Sequence, residues 1–223
     1  MLKYIHHSKK GLKRERNQDK ILVIEKELYY LFFVFDGVSS ISTSHLFIKY
    51  YIQKIRSNIH KLSPSGDNLK KILYDTHNEF FNSDTKIEGM STLSVLFYNK
   101  LDKSAHYISI GDSRIYLFDN QFIEQITTDH SLLNSPNIIT KCLGTPELTL
   151  DDFLQVEIMG TYNYLICSDG FYKLMESNLM EYFEAYNFKN QANIRKKLSS
   201  LQRKLNNDDS SYILIKHEIP RRN

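Results

Sequence analysis

Cysteine is scarce in this chain: the two in 223 residues, Cys142 and Cys167, are too few for a disulfide framework. Cys167 also lies inside an apolar run, where a free thiol behaves as a small hydrophobe, so a reducing, cytoplasmic setting is expected. No apolar stretch of signal-peptide length follows Met1, and the longest apolar run, Leu28–Phe35, is too short to cross a bilayer. No membrane partner is expected. Charge of one sign is missing as well, because 29 basic residues against 26 acidic ones leave only +3. The one basic cluster, Lys9–Arg16, lacks interleaved aromatic residues, which argues against nucleic acid. Internal repeats and low-complexity linkers are absent. One monomeric domain over residues 1–218 is expected, with a short solvated tail at 219–223 that carries Arg221-Arg222.

The apolar and aromatic content, 41% and 13%, is enough for one sizeable core. Runs rich in Val, Ile, Phe and Tyr predict strands at Lys20–Glu25, Tyr29–Phe35, Leu93–Tyr98, Ala105–Ile110, Arg114–Phe118, Tyr164–Cys167 and Tyr212–Lys216. Their short connections favour antiparallel pairing. Between Asp36 and Leu93 the period changes. Ile48, Ile52, Ile55, Ile59 and Leu62, then Leu69, Leu73, Thr76 and Phe80, recur at helical steps. Ser42-Thr43-Ser44 and Asp67 supply the expected N-caps, and Ser63-Pro64-Ser65-Gly66 separates the two helices. Ile194, Leu198, Leu201 and Leu205 predict one more helix. Such an order most simply builds an α+β fold, a central antiparallel β-sandwich with helices on its outer faces.

Acidic residues gather at strand ends. Tyr29–Phe35 stops at Asp36-Gly37, Tyr164–Cys167 stops at Ser168-Asp169-Gly170, and Tyr212–Ile215 is preceded by Asp208-Asp209. Asp19 precedes a strand, and Asp112 sits in the turn Gly111-Asp112-Ser113. Taken singly, an Asp-Gly pair is an ordinary turn. Asp36 and Asp169, however, each end a run apolar enough to desolvate a carboxylate, with no Lys or Arg beside either in sequence. Carboxylates gathered at one rim repel one another unless a cation sits between them. With no histidine or cysteine at metal spacing, an oxygen-only donor set suits Mg²⁺ or Mn²⁺ better than zinc. Two such ions about 3.5–4 Å apart can share a water, lower its pKa and direct hydroxide at phosphorus. Arg14, just before Asp19, is the candidate for gripping a phosphate; Arg16 is a poorer one, with a solvent-facing reading at least as good.

The ordered motifs resemble those of the PPM-type, or PP2C-like, metal-dependent protein serine/threonine phosphatases. The resemblance runs from Gly11-x-x-Arg14-x-x-Asn17-Gln18-Asp19 through Phe33-Val34-Phe35-Asp36-Gly37-Val38, Met90-Ser91-Thr92 and Ile110-Gly111-Asp112-Ser113-Arg114. It continues through Thr127-Thr128-Asp129-His130-Ser131, Asn137–Gly144, Cys167-Ser168-Asp169-Gly170 and Asp208-Asp209-Ser210-Ser211. It implies a four-layer αββα fold. It also implies that Asp36 bridges two ions, that the Gly37 carbonyl binds one, and that Asp169 and Asp208 complete the other. Asp19 would hold a bound water, Arg14 the substrate phosphate, and Asp112 with Asp169 a third, weaker ion. The implied activity is hydrolysis of phosphoserine and phosphothreonine on proteins by a metal-bridging hydroxide. Phosphoproteins are then the implied partners, together with a cognate serine/threonine kinase.

The chain departs from the family at several points. Gln18 replaces a common acidic residue, Ser39-Ser40 replace glycines, and Val38 stands where eukaryotic members carry a histidine, so leaving-group protonation falls to water. Only six residues separate His130 from Asn137, a flap shorter than in bacterial relatives. An open site of weak intrinsic selectivity is expected, with targets chosen by surfaces elsewhere. The competing expectation is a catalytically impaired domain that acts as a binding or regulatory module.

Overall fold

The computed structural model describes residues 2–217, apart from the side chains at 136 and 137; the expected tail and its two arginines lie outside them. The strands are β1 (Leu2–Lys9), β2 (Lys20–Glu25), β3 (Tyr29–Phe35), β4 (Leu93–Asn99), β5 (Ala105–Ile110), β6 (Arg114–Phe118), β7 (Ile123–Gln125), β8 (Ser131–Leu132), β9 (Ser135–Ile139), β10 (Val156–Ile158), β11 (Asn163–Cys167) and β12 (Ser210–His217). The helices are α1 (Ser44–Asn58), α2 (Leu69–Phe81), α3 (Asp169–Ser177), α4 (Leu179–Tyr186) and α5 (Gln191–Leu201). One five-stranded sheet runs β1-β12-β11-β6-β7, the other β10-β5-β4-β3-β2, and every pairing is antiparallel. Strand β8 pairs with β9 in a separate hairpin.

The alternation of β3 explains the layers. Its even-numbered side chains, Tyr30, Phe32 and Val34, meet Ile115, Ile166, Ile213 and Ile215 of the facing sheet. Its odd-numbered ones, Leu31, Phe33 and Phe35, face the other way and pack with Phe47, Tyr51, Ile55, Leu69 and Leu73 of α1 and α2. All seven residues of β3 are therefore buried, as expected for a strand covered on both faces. The opposite sheet repeats the pattern outward, where Leu165, Cys167 and Leu214 pack with Phe171, Tyr182, Ile194 and Leu198 of α3, α4 and α5. The result is helix, sheet, sheet, helix, the four-layer α+β sandwich expected from the sequence.

Several elements differ from expectation. Strand β12 lies between β1 and β11 and faces β3 across the sandwich. At position 67, Asp67 is not a cap; Asn68 takes the N-cap place of α2, and Asp67 accepts from the Ser65 hydroxyl. Thr43 occupies the N-cap place of α1, but its hydroxyl donates to the Glu88 carbonyl instead of capping. The last helix stops at Leu201, which leaves Leu205 exposed. Among the described residues, no helix is long and apolar enough to cross a membrane.

Candidate functional site

Strand register brings the acidic residues to one rim. Lys20 faces Phe35, so Asp19 and Asp36 flank the same end of the β2–β3 pair. Leu93 faces Ile110, which sets Thr92 against the Gly111-Asp112 turn. In the other sheet Cys167 faces both Arg114 and Tyr212, bringing Ser168-Asp169, Asp112-Ser113 and Asp208-Asp209 to that rim too. Local backbone bonds fix the arrangement. The Asp36 carbonyl accepts from Thr92 N at 2.9 Å and Ser91 Oγ at 3.0 Å, while Asp36 N donates to Thr92 Oγ1 at 3.1 Å. Gly111 adopts φ +100°, and a Cβ there would come within 2.6 Å of Thr92 Cγ2, so that turn requires glycine. Gly37 lies against Gln18, where a Cβ would meet the Gln18 carbonyl oxygen at 2.9 Å.

Four carboxylates form an electrostatically strained group. Burial raises the pKa of Asp36 well above the ordinary range, and the charges of Asp19, Asp169 and Asp112 add to it, with a hydrogen bond to Asp169. Asp19, only 1% exposed, is pushed up to about 7, first by burial and then, against hydroxyl hydrogen bonds that lower it, by the charges of Asp209 and Asp169. One Asp19 oxygen accepts from Ser168 Oγ at 2.9 Å, while Oδ1 is buried without a partner. Asp112 rises to about 6, chiefly through burial and then the charge of Asp169. An orphaned buried carboxylate oxygen among mutually repelling acids fits a hard divalent cation, which supplies positive charge and takes oxygen donors.

The remaining expected ligands are held by basic side chains. Asp208 takes a bidentate pair from Arg14, with Nε to Oδ1 and Nη2 to Oδ2 both at 2.6 Å. Asp169, in the first turn of α3, accepts from Lys173 Nζ at 2.7 Å. Among the described residues, no three His, Cys, Asp or Glu side chains already form a closed cage. The structure thus brings Asp19, Asp36, Asp112 and Asp169 together and joins the candidate phosphate arginine to Asp208.

Three features of the site are not evident in the sequence motifs. The buried Asp209 accepts from Gly11 N at 2.9 Å and Gln18 N at 2.8 Å, anchoring both ends of the loop that carries Arg14. Two adjacent acids leading into a strand, with side chains on opposite faces, were the available signal. Ser168 precedes α3 without capping it; its hydroxyl links Asp19 to Ser211 N. Behind the rim, Arg114 binds Asp129, Glu176 and the Tyr116 hydroxyl, and its guanidinium lies 3.7 Å from the Tyr172 ring centre. That cluster ties the Asp112 hairpin to α3. The hairpin after His130 is also anchored there, because His130 Nδ1 accepts from Gly111 N at 3.1 Å.

Comparison with known proteins bears on the family and the fold. A family model described as Protein phosphatase 2C matches residues 6–135. The chain is 32% identical over 117 residues to the serine/threonine phosphatase stp of Listeria welshimeri, covering 44% of this chain and 46% of that protein. It thus spans about half the length of the curated relatives it matches. Among solved structures, the phosphatase Stp1 from Staphylococcus aureus aligns with a TM-score of 0.78 at 18% identity, covering 98% of this chain and 96% of that one. The catalytic domain of the serine/threonine protein phosphatase PstP, in complex with two manganese ions, aligns with a TM-score of 0.72 at 22% identity, covering 96% and 97%. These structures share the fold.

Proposed function

This chain belongs to the protein phosphatase 2C family, and we propose that it hydrolyses phosphoserine and phosphothreonine monoesters on proteins with the help of divalent cations. The observation that carries the reading is the convergence of Asp19, Asp36, Asp112 and Asp169, with a partnerless buried oxygen on Asp19, beside Arg14. We assign the ions to Asp19, Asp36, the Gly37 carbonyl, Asp169 and Asp208, with Asp112 and Asp169 as a weaker third site. A structural neighbour described with two manganese ions supports Mg²⁺ or Mn²⁺ in that place. When bound, such ions neutralise phosphoryl oxygens and lower the pKa of water, the source of the nucleophile.

The chain's own groups do the rest. Arg14 presents a planar fork that already grips a carboxylate at 2.6 Å, and a phosphoryl group offers the same bidentate geometry. If phosphate took the Arg14 fork, the Asp208 carboxylate would be released to serve as an oxygen donor to an ion, so the two roles would be compatible. Asp209 keeps the Arg14 loop in register through Gly11 and Gln18. Val38 has no ionisable side-chain group, so the leaving alkoxide takes its proton from water. Phosphoproteins, and the kinase that makes them, are the partners this activity requires.

No observation favours an impaired regulatory module, since every carboxylate of the expected set is present. Asp36→Asn tests the reading. With Mn²⁺, turnover of an aryl phosphate should fall by orders of magnitude, because charge leaves the centre of the ligand group. Unchanged turnover would sink the assignment.

A further inference from the structure

Beside Arg14 lies a depression of about 650 Å³ that its phosphate-gripping role does not account for. Ligand sites run from about 300 to 1,000 Å³, so this volume admits a stretch of peptide beyond one phosphoryl group. Its lining includes Lys13, Arg14, Arg16, Ser42 and His45, with Glu15 the one acid among the residues that border it. Arg16 is exposed, and its Nη1 lies 2.6 Å from His45 Nε2. An arginine can only donate, so Nε2 accepts and the His45 proton sits on Nδ1, 3.1 Å from the Ser42 carbonyl. His45 is thereby a neutral bracket. It steadies the guanidinium without cancelling its charge and leaves most of its N–H donors for an anion. Burial, followed by the charge of Arg16, lowers the pKa of His45 and keeps it in that neutral form. Arg14, by contrast, is already matched to a carboxylate. The two arginines therefore differ in kind, one inside the reaction centre and the other a fixed, uncompensated cation on the approach to it.

We propose that Arg16, steadied by His45 and supported by Lys13, forms a second anion subsite that binds an acidic side chain or second phosphate near the scissile phosphoresidue. This inference rests on the phosphatase reading above and names the substrate class for it. Arg14 and Arg16 are two residues apart and both line the depression, so peptides with the second anion within about three residues of the phosphothreonine are the ones to test. Selectivity then comes from this approach rather than from the short hairpin after His130.

The test compares kcat/KM with Mn²⁺ for three phosphothreonine peptides of one length: one neutral at the flanking positions, one with glutamate there, one with phosphoserine there. A charge-assisted contact at a partly solvated rim predicts a preference of about tenfold for one or both anionic peptides over the neutral one, weakening as salt rises. Arg16→Ala should shrink that ratio toward one, and Arg16→Glu should reverse it in favour of a peptide with flanking lysine. The relative rates of the glutamate and phosphoserine peptides identify which anion the subsite takes. Equal rates for all three peptides, or a preference that survives Arg16→Glu, would overturn the subsite while leaving the phosphatase reading intact. Absence of turnover with every peptide would overturn both.

Discussion

Replacing Asp19 by Asn should stabilise the protein in the absence of divalent ions, a result opposite to the usual outcome of altering a buried polar residue. Asp19 is 1% exposed, with one oxygen accepting from Ser168 and the other partnerless. Its pKa lies at about 7 against an ordinary 3.8. The folded state therefore holds the proton more tightly than the unfolded chain, and between those values it binds more protons. Stability must fall as pH rises through that window, with the cost absent below the unfolded value and complete above about 7. At about 1.4 kcal/mol per unit, a rise of this size corresponds to about 4 kcal/mol. Asparagine removes the charge and keeps an acceptor for Ser168. Its buried amide N–H₂ costs about 1–3 kcal/mol for want of a partner, leaving a net gain of about 2 kcal/mol at pH 8. For a chain of this length that is about 4–8 °C in Tm. The assay is thermal unfolding by circular dichroism in chelator from pH 5 to pH 8, with Asp19→Asn ahead at pH 8 and the gap closing by pH 5. Added Mn²⁺ should raise the Tm of the unaltered protein more than that of the variant. Equal destabilisation by Asp19→Asn at both ends of the range would refute the reasoning.

Arg14→Ala should raise KM for a phosphothreonine peptide by about tenfold or more, because a bidentate charge-assisted grip is lost, and steady-state kinetics with Mn²⁺ would read it. An unchanged KM would remove Arg14 from the phosphate site. Arg114→Leu should lower stability by about 3 kcal/mol in urea unfolding, since it leaves Asp129, only 20% exposed, without its charge partner around a position whose arginine side chain is only 16% exposed. A loss below about 0.5 kcal/mol, typical of solvated pairs, would show that the cluster is not a structural brace.

The sandwich was legible because its central strands are covered on both faces and so read as apolar runs, β3 above all. Strand β1 was not, since only Ile5 of LKYIHHSK is buried on this edge and the polar remainder hides the pairing with β12. Helices α3 and α4 were missed for a different reason. Most of their buried positions, Phe171, Tyr172, Tyr182 and Tyr186, are aromatic residues that score equally well as strand, and α3 begins at Asp169 with no intervening loop. Missing α3 also hid Lys173, which reaches Asp169 only across one helical turn. The positions of Asp19, Asp36, Asp112 and Asp169 could be read from strand ends, whereas the grip of Arg14 on Asp208 could not. That grip spans 194 residues and depends on Asp209 holding the Gly11–Gln18 loop. The same distance effect concealed the Arg16–His45 bracket, whose partners belong to separate segments brought together when Gln18 Oε1 accepts from His45 N.

The most direct test of a divalent-ion phosphatase is hydrolysis of a phosphothreonine peptide by the purified chain, followed through three additions: Mn²⁺, excess chelator, then Mn²⁺ again. The account predicts phosphate release that starts with the ion, stops with the chelator and resumes when the ion returns. Turnover indifferent to the chelator, or none with either Mn²⁺ or Mg²⁺, would contradict it.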